Sequence, residues 1–182
     1  MRQLTALVVL FIIACKNDQK QIRNTESEVF GISIRDQKIG EGRFEVTLEA
    51  IVLENDRFQL YYSDSDYNNF SDDRMAETLV RGDTIPQRIT FILDYGVIPK
   101  KLRLDTGINY SQKPIVFTSL VIGYGNKQFS FDPEMFAQLF RTNRHADFTL
   151  ETRSIETKVI DNRYDPHFVS INLEEIVAQL MK

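Results

Sequence analysis

The sequence predicts a mainly β protein: an antiparallel β-sandwich, jelly-roll-like, with two short helices. Three observations predict it. Apolar and polar residues alternate with a period of two over many short segments, as in strands that bury one face. Asn, Asp, Gly and Pro cluster between those segments, where the chain must turn. Only two stretches, both short, carry the three-to-four-residue period of a helix. About eight short strands with minor helices favour two packed sheets, with a closed barrel as the alternative.

The clearest strand covers residues 44–52, where Phe44, Val46, Leu48, Ala50 and Val52 alternate with Glu45, Thr47 and Glu49. The pattern recurs more weakly over 58–62, 87–93 and 115–124. Phe30, Ile32 and Ile34 mark an earlier strand; Phe129 and Phe131, Phe148 and Leu150, and residues 168–171 mark later ones. Gly40-Glu41-Gly42 and Gly123-Tyr124-Gly125-Asn126 read as hairpin connections. The first helix is expected over 133–141, capped by Asp132 with Pro133 at its first position, and with Phe136, Leu139 and Phe140 on one face. The second is expected over 173–181. Asn172 and Glu175 would form a capping-box-like pair there, and Leu173, Ile176, Val177 and Leu180 a buried stripe. Both helices are expected on an edge or end of the sandwich.

The chain begins MRQLTALVVLFIIAC. Arg2 supplies a short positive region, and residues 4–14 are apolar apart from Thr5. A membrane-spanning helix needs about twenty apolar residues, so this stretch is too short to span and fits a secretory signal. Ile12-Ile13-Ala14-Cys15 resembles the lipobox of bacterial lipoproteins, with Ala14 as the small residue before the cut and Ile13 bulkier than the usual Ala or Ser. That resemblance implies a signal peptide over 1–14, lipidation of Cys15, and attachment to a membrane through the lipid. A plain secretion signal with a chance cysteine is the alternative. Cys15 is the only cysteine, so the rest of the chain forms no disulfide with it, whereas secreted domains use cysteines in pairs. Residues 15–27 are polar and read as the lipidated cysteine plus a flexible tether; residues 28–182 form the domain. Lys16 rather than Asp follows the cysteine, which leans towards the outer membrane of the cell envelope. Lys16-Asn17-Asp18-Gln19-Lys20 holds a single acid and selects neither the periplasmic nor the surface face.

Removing residues 1–14 leaves 182 − 14 = 168 residues, enough for one domain with a sizeable core, and takes the formal charge from −4 to −5. An acidic chain with no basic run lacks the electrostatic footprint of a nucleic-acid partner. No Gly-x-Ser-x-Gly, phosphate loop or thiol nucleophile is present in the domain. With 26 acids, a carboxylate pair picked by eye carries no information about glycoside hydrolysis. The composition implies no cofactor, and the domain is expected not to be an enzyme.

Residues 61–73 are the most unusual stretch, with four carboxylates and four aromatics. Asp64, Asp66 and Asn68 have the alternate spacing of a calcium loop. Asn69 stands where that loop needs its glycine, and Met75 where it needs its bidentate glutamate, so no metal is assigned. A solvated turn-rich loop and a ligand-binding loop both fit the composition. In the second case Tyr62, Tyr67 and Phe70 would offer ring faces to a sugar, while Asp64 and Asp66 would accept its hydroxyls. Leu102 and Leu104 are expected to face the core, which puts Arg103 and Asp105 together on the outer face, as a surface ion pair or a polar ligand contact. His145 and His167 lack metal-ligand spacing and read as surface or turn histidines.

Residues 58–62, 86–91, Leu102-Arg103-Leu104-Asp105 and 112–117 follow one another in an order that resembles jelly-roll β-sandwich modules of bacterial surface-polysaccharide proteins and small lipoproteins, similar in style to galactose-binding-like domains. The resemblance covers roughly residues 43–125. It implies a sandwich and suggests glycans, and it transfers no catalytic residue. The chain departs from many sugar-binding modules in having no tryptophan. The leading expectation is a non-catalytic structural or protein-interaction module of the envelope, with a glycan-binding or polysaccharide-accessory module as the alternative.

Overall fold

The computed structural model describes residues 32–34 and 42–182. Cys15, the expected cleavage point, the expected tether, Phe30 and the Gly40-Glu41 half of the first hairpin signal lie outside the described residues. In chain order the elements are β1 (Ile32–Ile34), β2 (Phe44–Ile51), β3 (Asp56–Ser63), β4 (Met75–Val80), β5 (Gln87–Ile92), β6 (Lys101–Asp105) and β7 (Ile115–Tyr124). They continue with β8 (Lys127–Phe131), α1 (Pro133–Leu139), β9 (Phe140–Thr142), β10 (Ala146–Thr149), β11 (Ser154–Thr157), β12 (His167–Ser170) and α2 (Glu174–Leu180).

The strands make two antiparallel sheets packed as a sandwich. One runs β4-β3-β6-β12-β9. The other is centred on β7, which pairs with β2 along one side and with both β8 and β11 along the other. The period-two pattern of β2 has its expected result: Phe44, Val46, Leu48 and Ala50 are fully buried. In β7 the pattern is weaker for a physical reason. Its register against β2 shifts between Glu49 and Ala50, so Leu48 faces Leu120 while Ala50 faces Phe117. One extra residue on β7 changes the phase of its buried side chains, from Ile115 and Phe117 to Leu120 and Ile122. Such a bulge bends a strand, and here it falls where β7 changes partner from β11 to β8.

The sheets also approach along β4 and β5, where the Thr78 hydroxyl donates to the Thr90 carbonyl at 2.6 Å. This is a side-chain contact, and no strand ladder joins the two sheets among the described residues, so the architecture is a sandwich rather than a barrel. The 125–126 hairpin is as expected, with Gly125 at φ 62. Strands β4, β9 and β11 are additions to the sequence reading. They are short, and β4 leaves Leu79 exposed, so the alternation there is weak.

Asp132 caps α1 by accepting from Met135 N at 2.8 Å, and Pro133 opens the helix as expected. The helix ends earlier than its periodicity suggests. Phe140 is extended, at φ −122 and ψ 139, because it begins β9 and pairs with Ser170. Arg141 turns back to donate to the carbonyls of Ala137 and Gln138, which the helix leaves free. α1 inserts Phe136 between the sheets, against Phe117 of β7 and Phe168 of β12. The second helix has no side-chain cap: Asn172 sits at φ 54, outside the helix, and Leu173 takes the cap position. Its stripe of Leu173, Ile176, Val177 and Leu180 is buried as expected. No helix of the described residues is long and apolar enough to cross a membrane.

Candidate functional site

At one end of the sandwich β3 leaves its sheet at Ser63, and the chain returns as β4 at Met75. Beside this loop runs the segment between β5 and β6. It is held by Leu93 N to Phe44 O at 2.9 Å and by Lys100 N to Ser63 O at 2.8 Å. Between the two lies a cleft of about 490 Å³, lined by Tyr62, Asp64, Asp73 and Arg74 on one side and by Asp94, Tyr95 and residues 96–98 on the other.

Tyr62 forms the floor. Its hydroxyl donates to Asp94 Oδ2 at 2.5 Å, and burial, with that carboxylate, pushes the phenol up to about 12. Asp64 pairs with Arg74 at 2.5 Å, and the Arg74 hydrogen bond holds its carboxyl below the usual range. The Asp73 carboxyl is held low mainly by the Ser71 side chain. Tyr95 stands at the mouth, 75 % exposed. It lies across Gly42, where an added Cβ would come within 2.7 Å of its ring, so the absence of a side chain at Gly42 is what lets the ring settle.

The loop residues singled out in the sequence divide. Tyr62 and Asp64 line the cleft. Asp66, Tyr67 and Phe70 do not. Asp66 pairs with Lys100 at 3.0 Å, and the hydrogen bond from Lys100 lowers its carboxyl. Tyr67 is 82 % exposed, and Phe70 is half-buried. The calcium spacing does not gather ligands: Asp64 and Asp66 are engaged by different cations, Arg74 and Lys100. Sequence reasoning missed Arg74, Asp94 and Tyr95. The one local sign was Asp94-Tyr95-Gly96, a turn directly after a strand.

Arg103 and Asp105 share the outer face of β6 as expected; neither lines the cleft, and they form a separate polar cluster. The Arg103 guanidinium donates two hydrogen bonds to Asp105, both at 2.7 Å, and one to Asp165 at 2.6 Å. It also lies 5.2 Å from the centre of the Tyr61 ring. Burial outweighs the guanidinium at Asp105 and raises its carboxyl to about 6. Burial, then Arg103, lowers the neighbouring His167. His167 Nδ1 lies 3.0 Å from Asn143 Nδ2 and 3.1 Å from the Asp165 carbonyl oxygen. Asp105, Asp165 and His167 bring one ligand atom each within 4.8 Å of one another, but the guanidinium already occupies both carboxylates. That donor set is satisfied by a cation of the chain itself and does not suit a metal. His145 differs from expectation: it is 5 % exposed, with Nδ1 3.2 Å from the Lys158 carbonyl.

No protein-family model, curated protein or solved structure matches this chain.

Proposed function

We propose that the protein is a lipid-anchored envelope module that binds a glycan, without catalysis, in the cleft between the 63–74 and 93–100 loops. The observation that carries this reading is Tyr95. An exposed ring stands at the mouth of a cleft whose walls bear carboxylates and a guanidinium. A sugar presents apolar C–H faces and a rim of hydroxyls, so it needs a ring to lie on together with paired donors and acceptors. The Asp64–Arg74 and Tyr62–Asp94 pairs hold those groups in place before a ligand arrives, which lowers the ordering cost of binding.

The non-catalytic part has its own support. A glycosidase needs a carboxylic acid whose pKa is raised towards neutrality. In the cleft, Asp64 is held low by Arg74 and Asp73 by the Ser71 side chain, Asp94 accepts from the Tyr62 hydroxyl, and the raised carboxyl, Asp105, belongs to the other cluster. The lipid anchor rests on Ile12-Ile13-Ala14-Cys15.

One aromatic contact contributes on the order of 1 kcal/mol, and a dissociation constant of about 1 mM needs roughly 4 kcal/mol, so ring and polar contacts together give weak, millimolar binding. Envelope polysaccharide fragments titrated by calorimetry against wild type, Tyr95→Ala and Arg74→Ala test the reading. Wild type should bind at least one neutral oligosaccharide, with both variants weakened severalfold. If no glycan binds, or if Tyr95→Ala binds as well as wild type, the cleft is not a sugar site. A protein-interaction role would then take its place, with the exposed Leu79 on the edge strand β4 as its starting point.

A further inference from the structure

The cleft carries negative charge that its own residues do not neutralise. Its one cation, Arg74, already pairs with Asp64 at 2.5 Å. Lys100, near the end of the second loop, pairs with Asp66. Asp73 on one wall and Asp94 on the other have no lysine or arginine at ion-pair distance among the described residues. Ser71 bonds to Asp73 and Tyr62 donates to Asp94, but both of those partners are neutral. Over residues 63–74 and 93–100, Arg74 and Lys100 stand against Asp64, Asp66, Asp72, Asp73 and Asp94, a balance of 2 − 5 = −3. Adding Arg43 and Lys101, next to the tie points Phe44 and Lys100, and Glu174, which reaches Asp66, gives 4 − 6 = −2.

The cleft carboxylates do not converge on a point. Among the described residues, the group of three acidic or histidine side chains with ligand atoms within 4.8 Å of one another is the separate cluster of Asp105, Asp165 and His167. A calcium ion gathers its oxygens at about 2.3–2.6 Å, so a single metal ion does not fit here. Positive charge spread along an extended organic ligand does. The cleft has the volume for one, about 490 Å³, and the exposed Tyr95 ring at its mouth attracts both an apolar sugar face and a cation.

We infer that the cleft takes an oligosaccharide bearing free amino groups, in preference to its neutral or acidic counterparts. Ammonium groups pair with Asp73 and Asp94 on the two walls while a sugar ring lies on Tyr95. The inference rests on the glycan reading of the cleft and narrows its ligand class. An acidic glycan is repelled by the same two carboxylates, and a neutral one offers them hydroxyls alone, so the discrimination combines an attraction with a repulsion. A basic peptide brings the charge without the sugar face, and the experiment separates the two.

Calorimetry on the full-length chain at about pH 6, where amines are charged and ordinary carboxylates ionised, compares a glucosamine tetramer with its fully N-acetylated form. The two share a backbone and differ in charge. A galacturonate tetramer supplies the opposite charge, and tetralysine the positive charge without a sugar. At about 50 mM salt the glucosamine tetramer should bind about fivefold more tightly than the acetylated form, with the galacturonate weakest, and about 500 mM salt should narrow the gap by screening. The double variant Asp73→Asn/Asp94→Asn keeps the shape of two exposed side chains, so folding is not at risk, and it should bring the two tetramers to within about twofold of each other. Equal binding of the tetramers by wild type overturns the inference. So does a gap that the double variant keeps, or tetralysine bound as tightly as the glucosamine tetramer, which would mean that charge alone is recognised. The two levels of failure are distinct. If the acetylated tetramer binds through Tyr95 with no gap, or if neither tetramer binds while another neutral oligosaccharide does, this inference alone falls. If no saccharide binds, or Tyr95→Ala costs nothing, the glycan reading falls with it.

Discussion

Gly107 lies so close to Asp56 that a Cβ at Gly107 would overlap the carboxylate. That carboxylate accepts from Ile108 N at 2.8 Å, Asn109 N at 3.1 Å and Gln112 Nε2 at 2.9 Å. One acid at the start of β3 therefore organises the whole connection from β6 to β7, and a glycine is needed for the chain to wrap around it. Gly107 also adopts φ 115, where L side chains are strained.

Gly107→Ala should therefore combine a backbone penalty with a displaced buried carboxylate. We expect a loss of at least about 2 kcal/mol, read from the urea midpoint at constant slope. Gly125→Ala, with open space around its Cβ position, should cost less. Equal midpoints for the two variants would contradict this account of the 106–114 segment.

Phe136→Ala should be the more damaging core change. The ring is buried, stacks on Phe140 with centroids 4.7 Å apart, and touches one sheet at Phe117 and the other at Phe168. Truncation leaves a void that neither sheet can fill alone, at a cost of about 3–5 kcal/mol. Thermal unfolding would show it, and Phe136→Leu should recover more than half of the loss.

Asp105 predicts a pH dependence with a definite sign. Its carboxyl is raised from 3.8 to about 6 by burial, against the opposing pull of Arg103. The folded state therefore holds this proton more tightly than the unfolded chain. The group's contribution to stability is full below 3.8 and is lost as pH rises through about 6. Asp105→Asn should remove that component, so the difference in stability between variant and wild type should vary across this window. A difference that stays constant from pH 3.5 to 7, on the order of the window itself, would show that Asp105 titrates at its ordinary value.

For the anchor, Cys15→Ser should move the protein from the detergent phase to the aqueous phase on phase partitioning. Several acyl chains together make anchoring effectively permanent, so the shift should be nearly complete. A variant that still enters the detergent phase would show that something other than this cysteine holds the membrane.

The sequence alone determined whatever depends on neighbours along the chain. Period-two alternation identified the buried face of β2, and Asp132-Pro133 identified the start of α1, because both signals are local. Tertiary structure decided the rest through contacts between distant residues. Phe140 leaves a helical pattern because Ser170, thirty positions on, offers a strand to pair with. The alternation of β7 slips because a bulge adapts it to three partner strands. Tyr62 and Asp64 were visible in an unusual loop, but the opposite wall of their cleft comes from Asp94 and Tyr95, whose sequence shows only a turn after a strand and whose place beside the loop depends on contacts such as Lys100 N to Ser63 O. Arg103 and Asp105 were legible as a pair on one face of a strand. That Asp165, His167 and Tyr61 surround them follows from strand order, which brings β3 and β12 to either side of β6. Burial and electrostatic fields act through space, and only the folded chain specifies those distances.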